Sequence, residues 1–340
     1  MTRRLLVADV GGTNARFALT LQGDSPGGSA GQLPTRSELQ ALQVVRAEDY
    51  ADFAAALLAY LESLPSGQRE VDAVHIAGAG PVVDQCIALT NSPWMIGGPH
   101  IAATVGAPVR LFNDLEAVGY ALPALTSSEV SSLGAGGRQM PEGRSVEEAM
   151  DGRQRTQIAI NIGTGFGAAV TVSVRGRTVA VLPTEAGHIT FTARSSDEAI
   201  LNGRVEAIED VLSGAGVVRL YRLLGEHQPG NDIGISSAQA LFERAQVGSD
   251  ALSGKAVDLF TDLFGRIVGD LIVATGSWDG VYLCGSVVKG WTQVADIARF
   301  HARVIAKGKM TDRVRQVPLC CIAAAQPALI GLSSIRTETD

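Results

Sequence analysis

The sequence predicts an α/β protein with two domains that face each other across a cleft. A chain of 340 residues is longer than one hydrophobic core usually organises. Hydrophobic residues make up 46% of it and charged residues 19%, which is the balance of a globular protein that folds alone. Strand-rich and then helix-rich stretches recur in both halves, which predicts an internal duplication of the fold without an obvious sequence repeat.

The first half is expected to open with a β-hairpin, because the apolar runs 5–10 and 15–20 flank a tight turn that contains Gly11 and Gly12. Residues 22–38 are rich in Gly, Ser and Pro, which predicts a loop. The other elements predicted for this half are strands near residues 41–45, 71–77, 86–89 and 109–112, and helices over residues 50–64 and 115–121.

A polar segment, residues 134–157, separates the halves and is rich in Gly, Arg and Glu, so we expect a mobile surface insertion there. The second half then repeats the pattern of the first hairpin, with a glycine-rich turn between two apolar strands. Its predicted strands cover residues 158–162, 168–174, 177–182 and 280–284, its helical regions cover residues 199–224 and 236–273, and a glycine-containing turn follows at Gly285-Ser286.

The charge and the cysteines of the chain argue against several classes of protein, namely nucleic-acid-binding, membrane and zinc-binding proteins. The chain has 28 Lys and Arg against 35 Asp and Glu, a net charge of -7, and no basic block, so we expect neither nucleic acid nor a membrane as partner. No run approaches the ~20 apolar residues of a membrane helix, and the N-terminus is too short and too acidic for a signal peptide, which predicts a cytoplasmic protein. Cys86, Cys284, Cys320 and Cys321 lack metal-ligand spacing and are expected to be buried thiols.

The segment Asp9-Val10-Gly11-Gly12-Thr13-Asn14-Ala15-Arg16 is the first that indicates a binding site. Its glycines remove Cβ atoms where backbone amides must approach an anion closely, and phosphate is the natural ligand. Asp9 would be costly to bury unpaired, so we expect a hydrated Mg²⁺ ion or the turn's own amides to compensate its charge. The alternative is an ordinary hairpin turn with Asp9 as its local cap.

The segment Gly163-Thr164-Gly165-Phe166-Gly167 is a second glycine-rich turn between apolar strands. Such a turn is a weak signal by itself and is often only a turn. Two such turns, each preceded by a strand, can face one another across a cleft and hold a polyphosphate. The chain contains no Walker loop, and the second turn lacks the full G-x-G-x-x-G spacing, so P-loop and dinucleotide-binding interpretations are excluded.

The pair Asn113-Asp114 stands at the C-terminal end of a predicted strand, where ligands of α/β sheets tend to bind. Asp114 could accept the proton of a hydroxyl group and orient that oxygen in line with a γ-phosphate, while Asn113 could hydrogen-bond to neighbouring hydroxyls. The alternative makes Asn113-Asp114 the N-cap of the helix predicted over residues 115–121, which is compatible with catalysis.

A third polar cluster consists of Glu185 and His188, with Glu209 further along the chain on a predicted helix. Two carboxylates and an imidazole suit a sugar, because a polyol needs several fixed donors and acceptors rather than one strong charge. The alternative is a structural Glu–His pair without a catalytic part.

Taken in order, these segments resemble the bacterial glucokinases, which are related to the hexokinases within the actin-like ATPase (ribonuclease H-like) superfamily, and the resemblance covers nearly the whole chain. The order of the segments carries the resemblance more than any one motif. The matching segments are residues 9–16 and 161–167 for the phosphates, 90–94, 182–188 and 211–214 for the sugar side, 112–114 for catalysis and 282–286 for the adenosine.

The resemblance implies that the chain phosphorylates glucose at its 6-hydroxyl with ATP and Mg²⁺. It implies Asp114 as the general base and assigns the remaining sugar hydroxyls to Asn113, Glu185, His188 and Glu209. It assigns the nucleotide to Asp9, Gly11, Gly12, Thr13, Asn14, Gly163, Thr164, Gly165 and Gly285, with Asp9 holding Mg²⁺ through water. It also implies a homodimer, and two α/β domains: a small one of residues 1–112 plus about 322–340, and a large one of residues 113–321.

The chain departs from the family pattern in two places. The family more often has Gly-Gly followed by Ile-Val-Pro where this chain has Gly285-Ser286 and then Val-Val-Lys-Gly, so the nucleotide site is expected to differ in affinity or nucleotide preference. Residues 326–331 also keep less glycine than usual. A related branch of sugar kinases and repressors carries a zinc-binding His/Cys cluster that we do not find near residue 188, and the chain starts at its first strand without DNA-binding helices, so we expect neither of these.

Two other functions stay open at this point. The acceptor could be another hexose or a hexosamine, since acceptor choice depends on the shape of the pocket. The chain could also be a sugar-binding regulator without turnover, a hypothesis motivated by the altered Gly285-Ser286 turn.

Overall fold

The structure is a computed structural model that describes residues 2–23, 38–89, 92–134, 152–175, 177–196, 198–226 and 234–336. Its strands are β1 (Thr2–Val10), β2 (Asn14–Gly23), β3 (Gln40–Arg46), β4 (Ala73–Gly78), β5 (Val82–Val83), β6 (Cys86–Ala88), β7 (Met95–Gly97), β8 (Val109–Asn113), β9 (Val130–Ser132), β10 (Gln154–Ile162), β11 (Phe166–Val174), β12 (Arg177–Thr184), β13 (Val281–Cys284) and β14 (Leu319–Ile322). Its α-helices are α1 (Phe53–Ser63), α2 (Gly98–Val105), α3 (Asp114–Ala121), α4 (Gly214–Gly225), α5 (Ala238–Val247), α6 (Ala251–Thr275), α7 (Ser286–Trp291), α8 (Ile297–Ile305), α9 (Thr311–Val314) and α10 (Pro327–Ser334).

Two large sheets share one plan, which confirms the predicted internal duplication. The first sheet has the order β3-β2-β1-β4-β8, and the second has the order β12-β11-β10-β13-β14 with β9 added at its edge. In each sheet three antiparallel strands are followed by two strands that run parallel to the first of them. A small third sheet of β5, β6 and β7 follows β4 in the chain.

The predicted opening hairpin is confirmed, because β1 and β2 pair antiparallel along their length with Val10 opposite Ala15. The side chains of this hairpin alternate between two faces. One face, with Phe17, packs on α1 through Phe53 and Tyr60.

The other face of the first sheet belongs to a core that also reaches the second sheet. This core contains Leu5 of β1, Ala159 of β10 and Tyr282 of β13, and the helices α3 and α10 pack between them. The contact of the two helices is so close that a Cβ atom on Gly331 would overlap the carbonyl oxygen of Ala117. Helices α3 and α10 therefore join the two sheets, and the predicted division into domains near residues 113 and 322 stays a prediction.

A larger core covers the second sheet and is built around the long helix α6. Phe264 of α6 packs edge-on against Trp291, and Phe300 of α8 packs against both rings. Gly265 and Gly269 lie where α6 meets the end of α8, and a Cβ atom on Gly269 would overlap the carbonyl oxygen of Val304. The two glycines therefore let the helices approach closely.

The predicted helix over residues 199–224 is wrong for most of its length. Only α4 is an α-helix there, preceded by the short 3₁₀ turns Ala199–Leu201 and Ile208–Asp210. The carboxylate of Asp210 accepts hydrogen bonds from the backbone N–H groups of Glu206 and Ala207, and this local closure competes with a helix.

The predictions for the loop, the insertion and the cysteines have separate outcomes. Residues 22–23 lie in β2, residues 154–157 begin β10, and residues 24–37 and 135–151, most of the predicted loop and insertion, lie outside the described residues. All four cysteines are free, and Cys320 alone of them is fully buried. Within the described part of the chain, no helix has the length and apolar character to cross a membrane.

Candidate active site

The parallel strands of the first sheet end together, and this edge carries the first group of site residues. Val10 in β1 lies beside Gly78 in β4, and Gly78 lies beside Asn113 in β8. The carboxyl ends of parallel strands are where α/β proteins bind ligands. The structure therefore brings the turn after β1 and the Asn113-Asp114 pair to one edge of one sheet.

Asp9, near the end of β1, is paired with an arginine. Its Oδ2 accepts a hydrogen bond from Nη1 of Arg16 at 3.0 Å, and the two residues are opposite each other in the hairpin. Burial raises the pKa of Asp9, and the guanidinium of Arg16 opposes this shift. Arg16 compensates the charge of Asp9 here, whereas a Mg²⁺ ion or the turn's own amides were predicted in that role. The hairpin register could have revealed this partner, because a turn centred between Gly12 and Thr13 places Asp9 opposite Arg16.

The first glycine turn is fixed from both sides. The N–H of Gly11 donates to the carbonyl oxygen of Asn14 at 2.9 Å, which closes the turn. The N–H of Ala47, after β3, donates to the carbonyl oxygen of Thr13 at 2.8 Å. The turn is therefore a preformed feature of the first sheet's edge.

Most hydrogen-bonding capacity of Asn113 is used within the protein. Its Oδ1 accepts from the N–H groups of Leu115 at 3.0 Å and Glu116 at 3.3 Å, and its Nδ2 donates to the carbonyl oxygen of Gly80 at 3.2 Å. Glu116 in turn accepts from the Asn113 N–H at 3.3 Å, which makes a capping box for α3. The N-cap interpretation is confirmed, and a side-chain hydrogen bond from Asn113 also acts to lower the pKa of Asp114.

Asp114 is the first residue of α3, and its pKa is strongly raised. Burial raises its pKa from the ordinary value of 3.8 to about 6, the hydrogen bond from the Leu115 N–H opposes the shift, and the charge of Asp9 adds to it. That hydrogen bond is 2.8 Å long. A carboxyl group whose pKa lies near neutrality can accept a proton and release it again, as a general base must.

The second sheet ends in a similar edge. Asn161 in β10 lies beside Cys284 at the end of β13, and the turn after β10 closes with a 3.0 Å hydrogen bond from the Gly163 N–H to the carbonyl oxygen of Gly165. The carbonyl oxygen of Gly163 accepts from the N–H of Gly214, the first residue of α4, at 2.9 Å. The second glycine turn is therefore tied to the start of a helix.

Gly285 occupies a position that only glycine fits. Its φ of 104° is rare for other residues, and a Cβ atom there would overlap the carbonyl oxygen of Ile162. The predicted turn at Gly285-Ser286 is corrected in one respect, because helix α7 begins at Ser286 itself. The hydroxyl of Ser286 lies 3.8 Å from the place where a Cβ on Gly163 would stand, so α7 starts beside the second glycine turn.

Cys284 lies at the second edge and feels the charge of Asp114, and no part in the site was predicted for it. Burial raises its pKa to about 12, and the negative charge of Asp114 contributes to the shift. Its Sγ also lies 3.8 Å from Oδ1 of Asn161. The thiol is therefore neutral and within the electrostatic influence of the Asp114 carboxylate, and a long-range effect of this kind has no signal in the sequence.

Glu209 holds the second glycine turn from the other side. It lies on a 3₁₀ turn rather than on the predicted helix, and its Oε2 accepts a hydrogen bond from the Phe166 N–H at 2.7 Å. The loop that carries Glu185 is close as well, because a Cβ on Gly187 would stand 3.5 Å from the Cβ of Glu209. Glu209 therefore lies between the predicted phosphate turn and the predicted sugar loop.

Glu185 and His188 form an exposed pair. Oε2 of Glu185 lies 3.8 Å from Nε2 of His188, and more than two thirds of each side chain is exposed. The short 3₁₀ turn Ala186–His188 carries the histidine, and a bridge between Thr190 and Ala207 holds the following chain against the Glu209 turn. Both side chains are thus free to meet a ligand.

A pocket of about 500 Å³ opens beside Ser286, between α5 and α7. Phe242 of α5 packs so closely on Gly290 that a Cβ there would stand 2.6 Å from its ring. Phe242 and Val287 give the pocket an apolar wall, and Lys289 lies at its rim. This pocket was not predicted from the sequence, because two helices distant in the chain form it.

The predicted sugar-side segment 90–94 is only partly visible. Thr90 and Asn91 lie outside the described residues, whereas Trp94 is buried against Phe53. Within the described part of the chain, no cluster of His, Cys, Asp and Glu has the arrangement of a metal centre.

Comparisons with known proteins agree with each other. The model of the family described as "Glucokinase" matches residues 6–339. A curated relative, the glucokinase of Shigella sonnei (strain Ss046), is 32% identical over 350 residues, which cover 100% of this chain and 98% of the relative.

Solved structures give the same picture for the fold. A glucokinase from an Antarctic psychrotroph superposes with a TM-score of 0.79 and 26% identity, over 98% of both chains. A ROK family glucokinase from Streptomyces griseus, in complex with glucose and AMPPNP, superposes with a TM-score of 0.59 and 18% identity, over 97% of this chain and 98% of the other. The predicted actin-like ATPase fold is confirmed.

Proposed function

Since the chain belongs to the glucokinase family, we propose that it transfers the γ-phosphoryl group of ATP to the 6-hydroxyl of glucose. The family is the one that the ordered motifs predicted. The exposed sugar loop, the two glycine turns and a titratable carboxylate at a sheet edge support this reaction. Phosphoryl transfer needs alignment and charge compensation more than covalent chemistry, and these parts can supply both.

The environment of Asp114 is the observation that carries the proposal. A pKa of about 6 leaves the carboxylate mostly charged at neutral pH and still basic enough to accept a proton. In the proposed mechanism Asp114 accepts the proton of the sugar 6-hydroxyl as that oxygen attacks the γ-phosphorus. The Leu115 N–H holds Oδ1, so the carboxylate keeps a fixed orientation through the step.

The sugar side of the proposal uses four residues. Asn113 would donate an amide N–H to a sugar hydroxyl beside Asp114, and Glu209 offers the carboxylate oxygen that does not accept from Phe166. Glu185 and His188, both exposed, would close on the remaining hydroxyls. A set of separate donors and acceptors matches a polyol.

The nucleotide side of the proposal uses the two glycine turns and the pocket beside α7. Turns 11–14 and 163–165 would hold the phosphates, and the apolar wall with Phe242 would receive the base. The Streptomyces griseus protein, of the same fold, binds AMPPNP, an analogue of ATP. The carboxylate of Asp9 would hold a Mg²⁺ ion through water, and such an ion would neutralise charge on the phosphates.

We further propose a cytoplasmic homodimer. The free thiols suit a reducing compartment. Light scattering coupled to gel filtration would measure the mass, and 35.4 kDa would exclude the dimer.

The test is ATP-dependent ADP release from the purified protein with glucose, fructose, mannose, N-acetylglucosamine or no sugar. We expect turnover that is selective for glucose, and a loss of roughly 10²–10⁴ in kcat for Asp114→Ala with glucose binding retained. Turnover with another sugar would show that this other sugar is the acceptor, and the proposed mechanism would stand. Glucose binding by calorimetry without ADP release would favour a regulator, and unchanged activity of Asp114→Ala would overturn the assignment of the base.

A further inference from the structure

A second cavity, of about 250 Å³, lies at the far end of the helix that carries Asp114. Tyr120, in the last turn of α3, lines it, about 9 Å along the helix axis from Asp114 at 1.5 Å per residue. The first residues of β12 and the end of α10 form its other walls. None of the residues assigned to the sugar or the nucleotide lines this cavity.

Two arginines from different parts of the chain face the cavity. Arg177 begins β12, Arg336 follows α10, and both are exposed at its rim. In the described part of the chain neither has an ion-pair partner, whereas arginines such as Arg204, Arg219 and Arg299 do. Guanidinium groups without a carboxylate partner offer the forked N–H donors that bind a phosphate in two places.

The remaining lining is a mixture that suits an organic phosphate. Tyr120 and Thr178 add hydroxyl groups, and Pro123 and Ile335 provide an apolar floor. Burial and the charge of Glu116 raise the pKa of Tyr120, and Arg110 opposes this shift, so Tyr120 presents a neutral hydroxyl. The cavity volume of 250 Å³ is roughly that of eight water molecules in the liquid, which leaves room for a carbon body beside a phosphate group.

The cavity is held in shape by several contacts. The hydroxyl of Ser334 donates to the carbonyl oxygen of Tyr120 at 3.2 Å, which joins α10 to α3. Nε2 of Gln22 donates to the carbonyl oxygens of Ser333 at 3.1 Å and Ile335 at 2.8 Å. A site with fixed walls loses little entropy when a ligand binds.

We propose that this cavity binds a small organic phosphate, with the phosphate between Arg177 and Arg336 and the carbon body on the floor of Pro123 and Ile335. A ligand in this position would contact α3 and α10 together. The site is separate from the cleft of the proposed kinase reaction, and its occupancy does not depend on turnover.

The test is isothermal titration calorimetry of the whole chain with phenyl phosphate and with inorganic phosphate, at constant ionic strength set by chloride. Both titrations are repeated with glucose and ADP present, so that binding in the cleft is separated from binding in the cavity. The variants are Arg177→Ala and Arg336→Ala, and the control is Arg175→Ala, which removes the same charge from the same hairpin outside the cavity.

We expect one saturable site for phenyl phosphate, about tenfold tighter than inorganic phosphate because of the buried ring. Each of Arg177→Ala and Arg336→Ala should weaken it at least about tenfold, since a charged hydrogen bond is lost, whereas the control should bind like the parent protein. The proposal is overturned if the parent protein shows no saturable binding. It is equally overturned if either arginine variant binds normally, or if the control loses binding as well.

Discussion

The carboxylate of Glu209 and the backbone N–H of Phe166 are joined by a 2.7 Å hydrogen bond. Phe166 is the first residue of β11, directly after the second glycine turn, and the Glu209 turn is paired with the chain that follows Glu185 and His188. Glu209 therefore binds the turn proposed for the phosphates and lies next to the loop proposed for the sugar.

Replacing this carboxylate should affect both substrates. In Glu209→Ala the N–H of Phe166 loses its acceptor, and a charged hydrogen bond is worth about 1.5–3 kcal/mol. We expect KM to rise at least about tenfold for glucose and to rise for ATP as well, measured by steady-state kinetics. A change confined to glucose would show that the glycine turn does not depend on Glu209.

Replacing the exposed pair should affect the sugar alone. Glu185→Gln and His188→Ala remove side chains that are more than two thirds exposed, so little of the folded structure depends on them. We expect weaker glucose binding by calorimetry and an unchanged affinity for ATP. Equal losses for both ligands would indicate general misfolding instead.

The rate should depend on the ionisation of Asp114. Because the free protein has a pKa of about 6 at this residue, the fraction of charged carboxylate falls about tenfold for each pH unit well below 6. We expect kcat/KM for glucose to be level near pH 8 and to decline below pH 6 with a slope of one. A profile that stays level down to pH 4.5 would contradict the assignment of Asp114 as base.

The same shift predicts that the charged carboxylate of Asp114 destabilises the fold. The pKa is higher in the folded chain than its ordinary value of 3.8, so the folded state holds the proton more tightly, and stability falls as the pH rises from 4 through 6. Asp114→Asn should raise the free energy of unfolding at pH 8 by about 1–3 kcal/mol. Urea unfolding at pH 8 and at pH 5 measures the free energy of unfolding of both proteins. The gain in stability of Asp114→Asn over the parent protein should be smaller at pH 5. A loss of stability at pH 8 would contradict the prediction.

Two glycines on one helix should respond to alanine in opposite ways. A Cβ on Gly269 would overlap the carbonyl oxygen of Val304, so Gly269→Ala must separate α6 from α8 and should cost about 1–3 kcal/mol. Gly254, near the start of the same helix, has open space at its Cβ position, and Gly254→Ala should stabilise by about 0.5–1 kcal/mol. Urea unfolding measures both, and equal effects would mean that the close approach of the helices is not what requires glycine.

Local patterns explain which parts of the fold could be predicted. The hairpin β1–β2 and the step from β8 into α3 follow from apolar runs, a glycine turn and an Asn cap, all within a few residues. The short strand β14 and helix α10 were not predicted, because four apolar residues and a Pro-led segment gain their structure from packing on distant elements.

In the candidate site, too, local patterns predict some features and leave others unpredicted. Asn113, Asp114 and the two glycine turns could be located because strand ends carry ligands. The electrostatic effect of Asp114 on Cys284 acts between residues 170 positions apart in the chain, and no local pattern encodes it. The Asp9–Arg16 pair is intermediate, since the hairpin register implied it and the analysis of the turn alone did not.

The position of α10 has a consequence for biosynthesis. The strands of the first sheet are complete once β8 has been made, yet the helix that covers Leu5 and Val7 is made more than 200 residues later. At a ribosomal rate of about 5–20 residues per second, this apolar face waits roughly 10–40 s for its cover. During that interval the nascent chain exposes apolar side chains of β1 that α10 covers in the finished fold.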